Sequence, residues 1–539
     1  MTRPDNPYAN TQPGEEIHDM YAAKGWHPAP PATTRDRGIG PFKRLVLRGA
    51  TVIDGTGAPP CGPFDIVIES GRITAMVPVG TPHLPIKPEG RPAGGDHEID
   101  CSGRYVMPGL IDAHAHIRTT RYAMTGPIPP PTYAYKLWLA HGITTIRETG
   151  CFNGLGYTLQ QKDASARYEI VAPNIMAYAY CPVTNDLVKT IHTSDQATAW
   201  VHEIKARGAD GIKFIGAASP SIMRAALDAA GKEGLRSACH HAQMAVTRVN
   251  ALKSARWGLT SSEHYYGLPE ALYDDRVVQD FPADYNYNDE YFRFAAAGQS
   301  FLQAAKPGSA KWKETMNEFL ELGLTFVPTF TIYNANRDVM RARRADWHQE
   351  YTWKSIWKYY QPQRGGHGSY WTQWSTRNEI EWKQHFQLWM QFVNEYKNLG
   401  GRVCTGSDSG FIFQIFGFSL IQELELLQEA GFHPLEAIRA ATSHGAELLG
   451  IADETGSIDV GKRADILILD DNPLADFKLL YGTGALRFND DTGKTQWRRA
   501  LRWTIKSGMI FDVDELLQDV RDMVRESWND GSDETPDAR

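Results

Sequence analysis

The chain has 539 residues, 42% hydrophobic and 22% charged, with a formal net charge of −8. This is a globular composition, long enough for two or three structural units. It has no basic excess to attract nucleic acid and no apolar run of the roughly 18 residues a membrane span needs. Residues 1–31 are polar and Pro-rich without an apolar h-region, so no secretory signal is expected. Six scattered cysteines without a CxxC pair fit reduced thiols and a cytoplasmic location.

In chain order, residues 1–40 read as an N-terminal arm, ordered by docking on a neighbour. Residues 41–108 hold β-rich runs such as Arg44–Asp54 and Asp65–Met76, the second folded about a Ser-Gly turn. Runs of the same kind recur at 464–470 and 503–510. The expectation is a small β-sandwich built from both chain ends (41–108 and 450–515), with residues 109–449 inserted between its halves. A C-terminal tail, 516–539, follows. The insert alternates apolar runs with amphipathic stretches. Strands are expected near 109–117, 143–149, 170–178, 211–215, 235–241, 259–264, 324–330 and 402–408. Eight β/α alternations predict an α/β fold, a (β/α)8 TIM-like barrel, with a doubly wound sheet as the alternative. Two long connections interrupt the pattern, about 268–322 and about 335–395. The second is dense in aromatic residues and is expected to act as a lid, with an oligomer contact or a satellite core as the alternatives.

Chemistry-bearing residues fall at the predicted strand ends. His114 and His116 end the first run; side chains alternate along a strand, so both point the same way and could grip one metal ion. Lys213 lies within the apolar strand Gly211–Ile215, where its charge is costly unless removed or paired. His240 and His241 end the fifth run and should face opposite ways. His264 ends the sixth and Asp408 the eighth, beside small residues. In a barrel these ends form one face, where active sites sit.

These residues resemble the amidohydrolase superfamily, in its lysine-bridged branch near the Xaa-Pro dipeptidases and imidazolonepropionase. The resemblance rests on Val106-Met-Pro-Gly-Leu-Ile-Asp-Ala-His-Ala-His116, Gly142–Gly150, Gly208-Ala-Asp-Gly-Ile-Lys213, Ser262-Glu-His264, Thr405-Gly-Ser-Asp408 and the tail Gly456–Leu467. It implies two divalent ions, most often zinc, and a Lys213 carboxylated at N6 to a bridging carbamate. His114, His116, Lys213, His241, His264 and Asp408 would be the ligands. His241, followed by a small residue, is preferred over His240, which is held in reserve. The implied reaction is hydrolysis of a C–N bond, in an amide or a dipeptide-like and aryl or apolar substrate, by a metal-activated hydroxide, with Asp408 moving the proton. A lactonase or a carbamate or urea hydrolase is the alternative; a non-enzymatic scaffold would be expected to have lost ligands. Tyr265, Tyr266, Tyr333 and Arg337 follow predicted strands and are the candidate contacts to a small-molecule substrate, with Tyr and Arg suited to a carboxylate. Glu148 stands where the branch often has Asp. A homo-oligomer without nucleic acid or membrane partners is expected.

Overall fold

The computed structural model describes residues 30–529, apart from 87, 118–119, 182–190, 217–218 and 363–366. The N-terminal β runs form β1 (Arg44–Val52), β2 (Cys61–Glu69), β3 (Arg72–Pro78), β4 (His97–Asp100) and β5 (Tyr105–Pro108). Seven parallel strands follow: β6 (Leu110–Ala115), β7 (Ile143–Gly150), β8 (Asn174–Cys181), β9 (Gly211–Ile215), β10 (Arg236–His240), β11 (Ser261–Glu263) and β12 (Thr325–Val327). They pair in strict sequence order, β6 at one edge and β12 at the other. Residues 402–405 close the ring. Phe326 N donates to Arg402 O (3.1 Å), Cys404 N to Phe326 O (2.9 Å) and Ala113 N to Thr405 O (3.0 Å). All eight expected runs therefore line one parallel barrel. The third begins later than expected, at Asn174, because Pro173 has no N–H to give a ladder. Most barrel-strand residues are buried, as strands packed on both faces must be.

The chain then returns to the first sheet through β13 (Ile466–Leu469), followed by the hairpin β14 (Ala485–Asn489) and β15 (Lys494–Arg498), then β16 (Leu501–Lys506) and β17 (Met509–Asp512). Antiparallel pairing of β13 with β5, Val106 opposite Ile468, joins the two chain ends. The hydrogen-bond path is β17-β16-β13-β5-β1-β2-β3, with β4 added to β1. Both chain ends thus share one eight-stranded hydrogen-bonded sheet, the small β unit expected from them. β4 and β5 divide one edge of β1, at Leu45–Arg48 and Thr51–Val52. Ile66, Ile68, Val106, Ile466, Ile468 and Ile505 form its own core.

The described part of the N-terminal arm docks on its own chain. Arg35 N donates to Glu169 O, Ile39 exchanges hydrogen bonds with Ile510, and Arg37 pairs with Asp519 at 2.7 Å. Near the C-terminus the helix Val513–Trp528 buries Leu516, Leu517, Val520 and Val524, one stripe at helical spacing. Asp512 caps it by accepting from Asp514 N (2.9 Å). The aromatic insertion is turned inward: Tyr360, Tyr370, Trp382, Phe386 and Trp389 are fully buried. No described helix is long and apolar enough to cross a membrane.

Candidate metal centre

His114 and His116 share one face of the β6 run, as alternation requires. Both imidazoles meet Asp408, His114 Nε2 at 3.7 Å and His116 Nε2 at 3.1 Å from Oδ1. His264 Nε2 lies 3.7 Å from Asp408 Oδ2. Asp408 is brought there by its backbone. Its N–H donates to His114 O (2.8 Å), and Ser407 N donates to Asp112 Oδ1 (2.9 Å). Asp408 and His264 both have positive φ, +47° and +64°, where the chain leaves regular strand geometry. His114, His116 and Asp408 present ligand atoms within 4.8 Å of one another and could hold a metal ion.

The fifth strand corrects one expectation. His241 turns away from this cluster and meets Ser254 Oγ at 2.9 Å. His240 faces the cluster, its ring 4.6 Å from that of His264. Strand register is the cause. Lys213 pairs with Ala238 across β9 and β10, so the residue two further on, His240, shares its face.

Lys213 is buried, and among the described residues its Nζ has no hydrogen-bond partner. Burial pushes its pKa down from 10.5 to about 8, against the pull of Glu263. His116 Nδ1, Glu148 Oε1 and His264 Nε2 are likewise buried without a hydrogen-bond partner among the described residues. Orphaned polar atoms of this kind need a partner. Imidazole nitrogens and carboxylate oxygens around a lysine nitrogen are the donor set of a divalent metal with a modified lysine, so the residues fit that group.

A second layer, missed in the sequence, holds these ligands. Glu263 accepts from Arg147 Nη2 (2.8 Å to each oxygen), Ser261 Oγ (2.6 Å) and His114 Nδ1 (2.6 Å). Burial opposes charge on Glu263, but Arg147 and Lys213 keep its pKa below the usual value. An ionised carboxylate only accepts, so His114 carries its proton on Nδ1 and turns a lone pair at Nε2 toward the cluster. Burial, then the charge of Lys213, holds the His114 pKa well down, so the ring is neutral. Burial also depresses His116, but the carboxylates of Asp408 and Glu148 outweigh it and raise its pKa to about 9. His264 Nδ1 meets Thr329 Oγ1 at 2.5 Å, and Glu423 fixes that turn by accepting from Phe330 N and Thr331 N. Glu148, the departure from the family pattern, accepts from Ile117 N (2.5 Å) and braces the strand end beyond His116. Beyond Glu148, the sequence signal for this layer was two isolated charges, Arg147 and Glu263, each inside an apolar strand.

The four expected substrate contacts divide. Tyr266 lies against His240, rings 5.2 Å apart, and Tyr333 against His264, 5.6 Å apart. Tyr265 is packed behind them by Tyr333, Trp382, His385 and Trp389. Arg337 does not join the site. Both its Nη atoms bind Glu429 at 2.7 Å, its Nε binds Asn334, and it covers Phe386. The nearby carboxylate and ring outcompete a more distant cluster. Besides Lys213, a cation from the first long connection acts on His240 and Tyr266. Arg293, with Tyr287 and Phe294 rings 4.7 and 4.5 Å from its guanidinium, lies 3.3 Å from Glu290, which also pairs with His367 at 2.6 Å. Burial, then the charge of Lys213 and that of Arg293, holds the His240 pKa well below the usual value.

Comparisons with known proteins agree with this architecture. A sequence model of the amidohydrolase family matches residues 389–487. An adenine deaminase from Methanoculleus marisnigri is 52% identical over 52 residues, which is 10% of this chain and 9% of that relative, so the match spans a small part of its length. A solved Xaa-Pro dipeptidase with methionine in its active site aligns over 87% of this chain and 100% of its own, with a TM-score of 0.56 and 18% identity. The bottromycin amidohydrolase aligns over 90% of this chain and 91% of its own, with a TM-score of 0.60 and 17% identity. At those identities the likeness is one of fold.

Proposed function

We propose that this chain is a member of the amidohydrolase superfamily and a metal-dependent hydrolase of a C–N bond in an amide or dipeptide-like substrate. The observation that carries the reading is the convergence of His114, His116 and His264 on Asp408, with His240 beside them and the unpartnered Lys213 Nζ buried nearby. His114, His116, His240, His264 and Asp408 would hold divalent metal, most often zinc in this family. Lys213, carboxylated at N6, would bridge it as an anion, which removes the cost of a buried ammonium. Bound metal supplies Lewis-acid polarisation of a carbonyl and a water of lowered pKa.

The remaining work falls to side chains. Asp408 accepts the water's proton and returns it to the leaving nitrogen, without which an amine departs poorly. Its carboxylate has 14% relative exposure, open to substrate on one side and hemmed by three imidazoles on the others. Glu263 and Arg147 keep His114 in the tautomer a metal ligand needs. Tyr266 and Tyr333 supply wall and phenol hydroxyls. Arg293, beside Tyr266 and His240 and paired with Glu290, supplies a guanidinium there, which favours a substrate with a carboxylate close to the scissile bond.

The test is a hydrolysis panel with metal and bicarbonate present: N-acyl amino acids, Xaa-Pro dipeptides, aryl amides, lactones, ureas and adenine. Turnover is expected for amides that carry a carboxylate beside the leaving nitrogen. Turnover confined to lactones, ureas or adenine would overturn the amide reading.

A further inference from the structure

The loop that carries Asp408 is held in a conformation its own residues disfavour. Ile412 and Phe413 have φ of +46° and +62°, and Asp408 itself +47°. None is glycine, and for a β-branched residue such as Ile412 this region is an outlier. Backbone of this kind persists only where its surroundings over-determine it. On the strand side those surroundings are the bonds of Ser407 and Asp408 to Asp112 and His114. On the far side they are two buried phenols. Tyr122 OH donates to Gly410 O at 2.6 Å, and Tyr360 OH donates to Gln414 O at 2.8 Å. Gly410 N closes the turn on Gln414 O (2.8 Å). Tyr122 approaches so closely that a Cβ at position 410 would lie 2.4 Å from its hydroxyl. The Phe413 ring is enclosed by Tyr360, Trp357, Trp371 and His348, with ring centroids 5.2–6.0 Å away. All four come from the aromatic insertion.

We propose that Tyr122 and Tyr360 are positioning residues for Asp408. Their hydroxyls clamp the 410–414 turn, fixing where the Asp408 carboxylate stands between His116 and His264, and the aromatic insertion is the brace behind the clamp. This rests on the reading of Asp408 as metal ligand and proton carrier. The two hydroxyls are not equivalent. Gln414 O keeps Gly410 N as a donor when Tyr360 is lost, whereas among the described residues Tyr122 is the one donor to Gly410 O. Tyr122→Phe should therefore have the larger effect.

The experiment uses full-length, metal-loaded protein carrying Tyr122→Phe, Tyr360→Phe or both, each in the parent and in an Asp408→Asn background. Two quantities are read: kcat and KM on the best amide, and the rate of metal loss to a chelator. With Asp408 present, kcat should fall about 10-fold for Tyr122→Phe, less for Tyr360→Phe, with KM within about twofold, as expected for a small misplacement of a reacting group. Metal loss should quicken in the same order. In the Asp408→Asn background neither substitution should add to the loss, because the group they position is gone. Equal losses in both backgrounds would mean a general structural effect and would overturn the proposal, as would unchanged kcat and metal release in the parent. Should Tyr122→Phe fail to fold, Tyr360→Phe carries the same comparison. If no amide is turned over by the parent, the functional reading falls, while the background dependence of metal release still decides the clamp.

Discussion

Replacing Glu263 by Gln keeps the side chain's volume and removes one charge from the middle of the barrel. Glu263 accepts from Arg147, Ser261 and His114 at 2.6–2.8 Å. Gln offers a single oxygen and an amide that donates, so Arg147 or His114 must face another donor. Arg147 is wholly buried, and its other partners, Ser261 Oγ (3.0 Å) and the Ala113 carbonyl, carry no charge. Removing one partner of a buried pair costs about 3–5 kcal/mol, because the other charge is stranded. Loss of the group that orients a metal-binding histidine weakens metal affinity about 10–100-fold. Urea unfolding of metal-free protein, followed by tryptophan fluorescence, measures the first effect; competition with a chelator measures the second. Adding Arg147→Met should recover part of the stability, since the stranded cation is then gone. A Glu263→Gln protein within about 1 kcal/mol of the parent, with unchanged metal affinity, would refute the orienting role.

Three further outcomes are expected. His240→Ala should lower the metal content of purified protein, whereas His241→Ala, which loses only a contact to Ser254, should leave it unchanged by elemental analysis. In metal-free protein the Lys213 pKa is depressed to about 8, so the unfolded chain holds the extra proton between that value and 10.5, and stability rises with pH through this window. Lys213→Met should therefore be more stable than the parent by about 3 kcal/mol at pH 7, an advantage that shrinks as pH rises from 8 toward 10.5 in urea titrations. Arg293→Met should raise KM for carboxylate-bearing amides about 10-fold or more, as expected for loss of a charge-assisted contact, while Arg337→Met leaves KM unchanged. The reverse order would restore Arg337 to the site.

Strand placement was legible because the barrel strands are buried on both faces and read as apolar runs between amphipathic stretches. His114 and His116 were legible for a related reason, since residues two apart on one strand must share a face. Adjacent residues such as His240 and His241 were not resolvable. Their facing depends on how β10 registers with β9, a non-local pairing that local pattern does not encode. Arg337 was misplaced because a charge on a loop after a strand reads the same whether it meets substrate or a neighbouring carboxylate. Glu429, which captures it, lies 92 residues away. Arg293 was passed over because the 268–322 connection carries no periodic signal that says which side chain returns to the barrel mouth. Arg147 and Glu263 escaped notice because the sequence shows each charge alone. The aromatic insertion was left open between a lid, an oligomer contact and a satellite core, because ring content does not say which way rings face; many are turned inward.

The most direct test of the account is the metal content of the full-length protein, purified without chelator and supplied with divalent metal and bicarbonate. The account expects about two divalent ions per chain, as in two-metal hydrolytic sites, falling sharply in Lys213→Ala. Metal well below stoichiometric in the parent, or full metal content and full activity in Lys213→Ala, would contradict it.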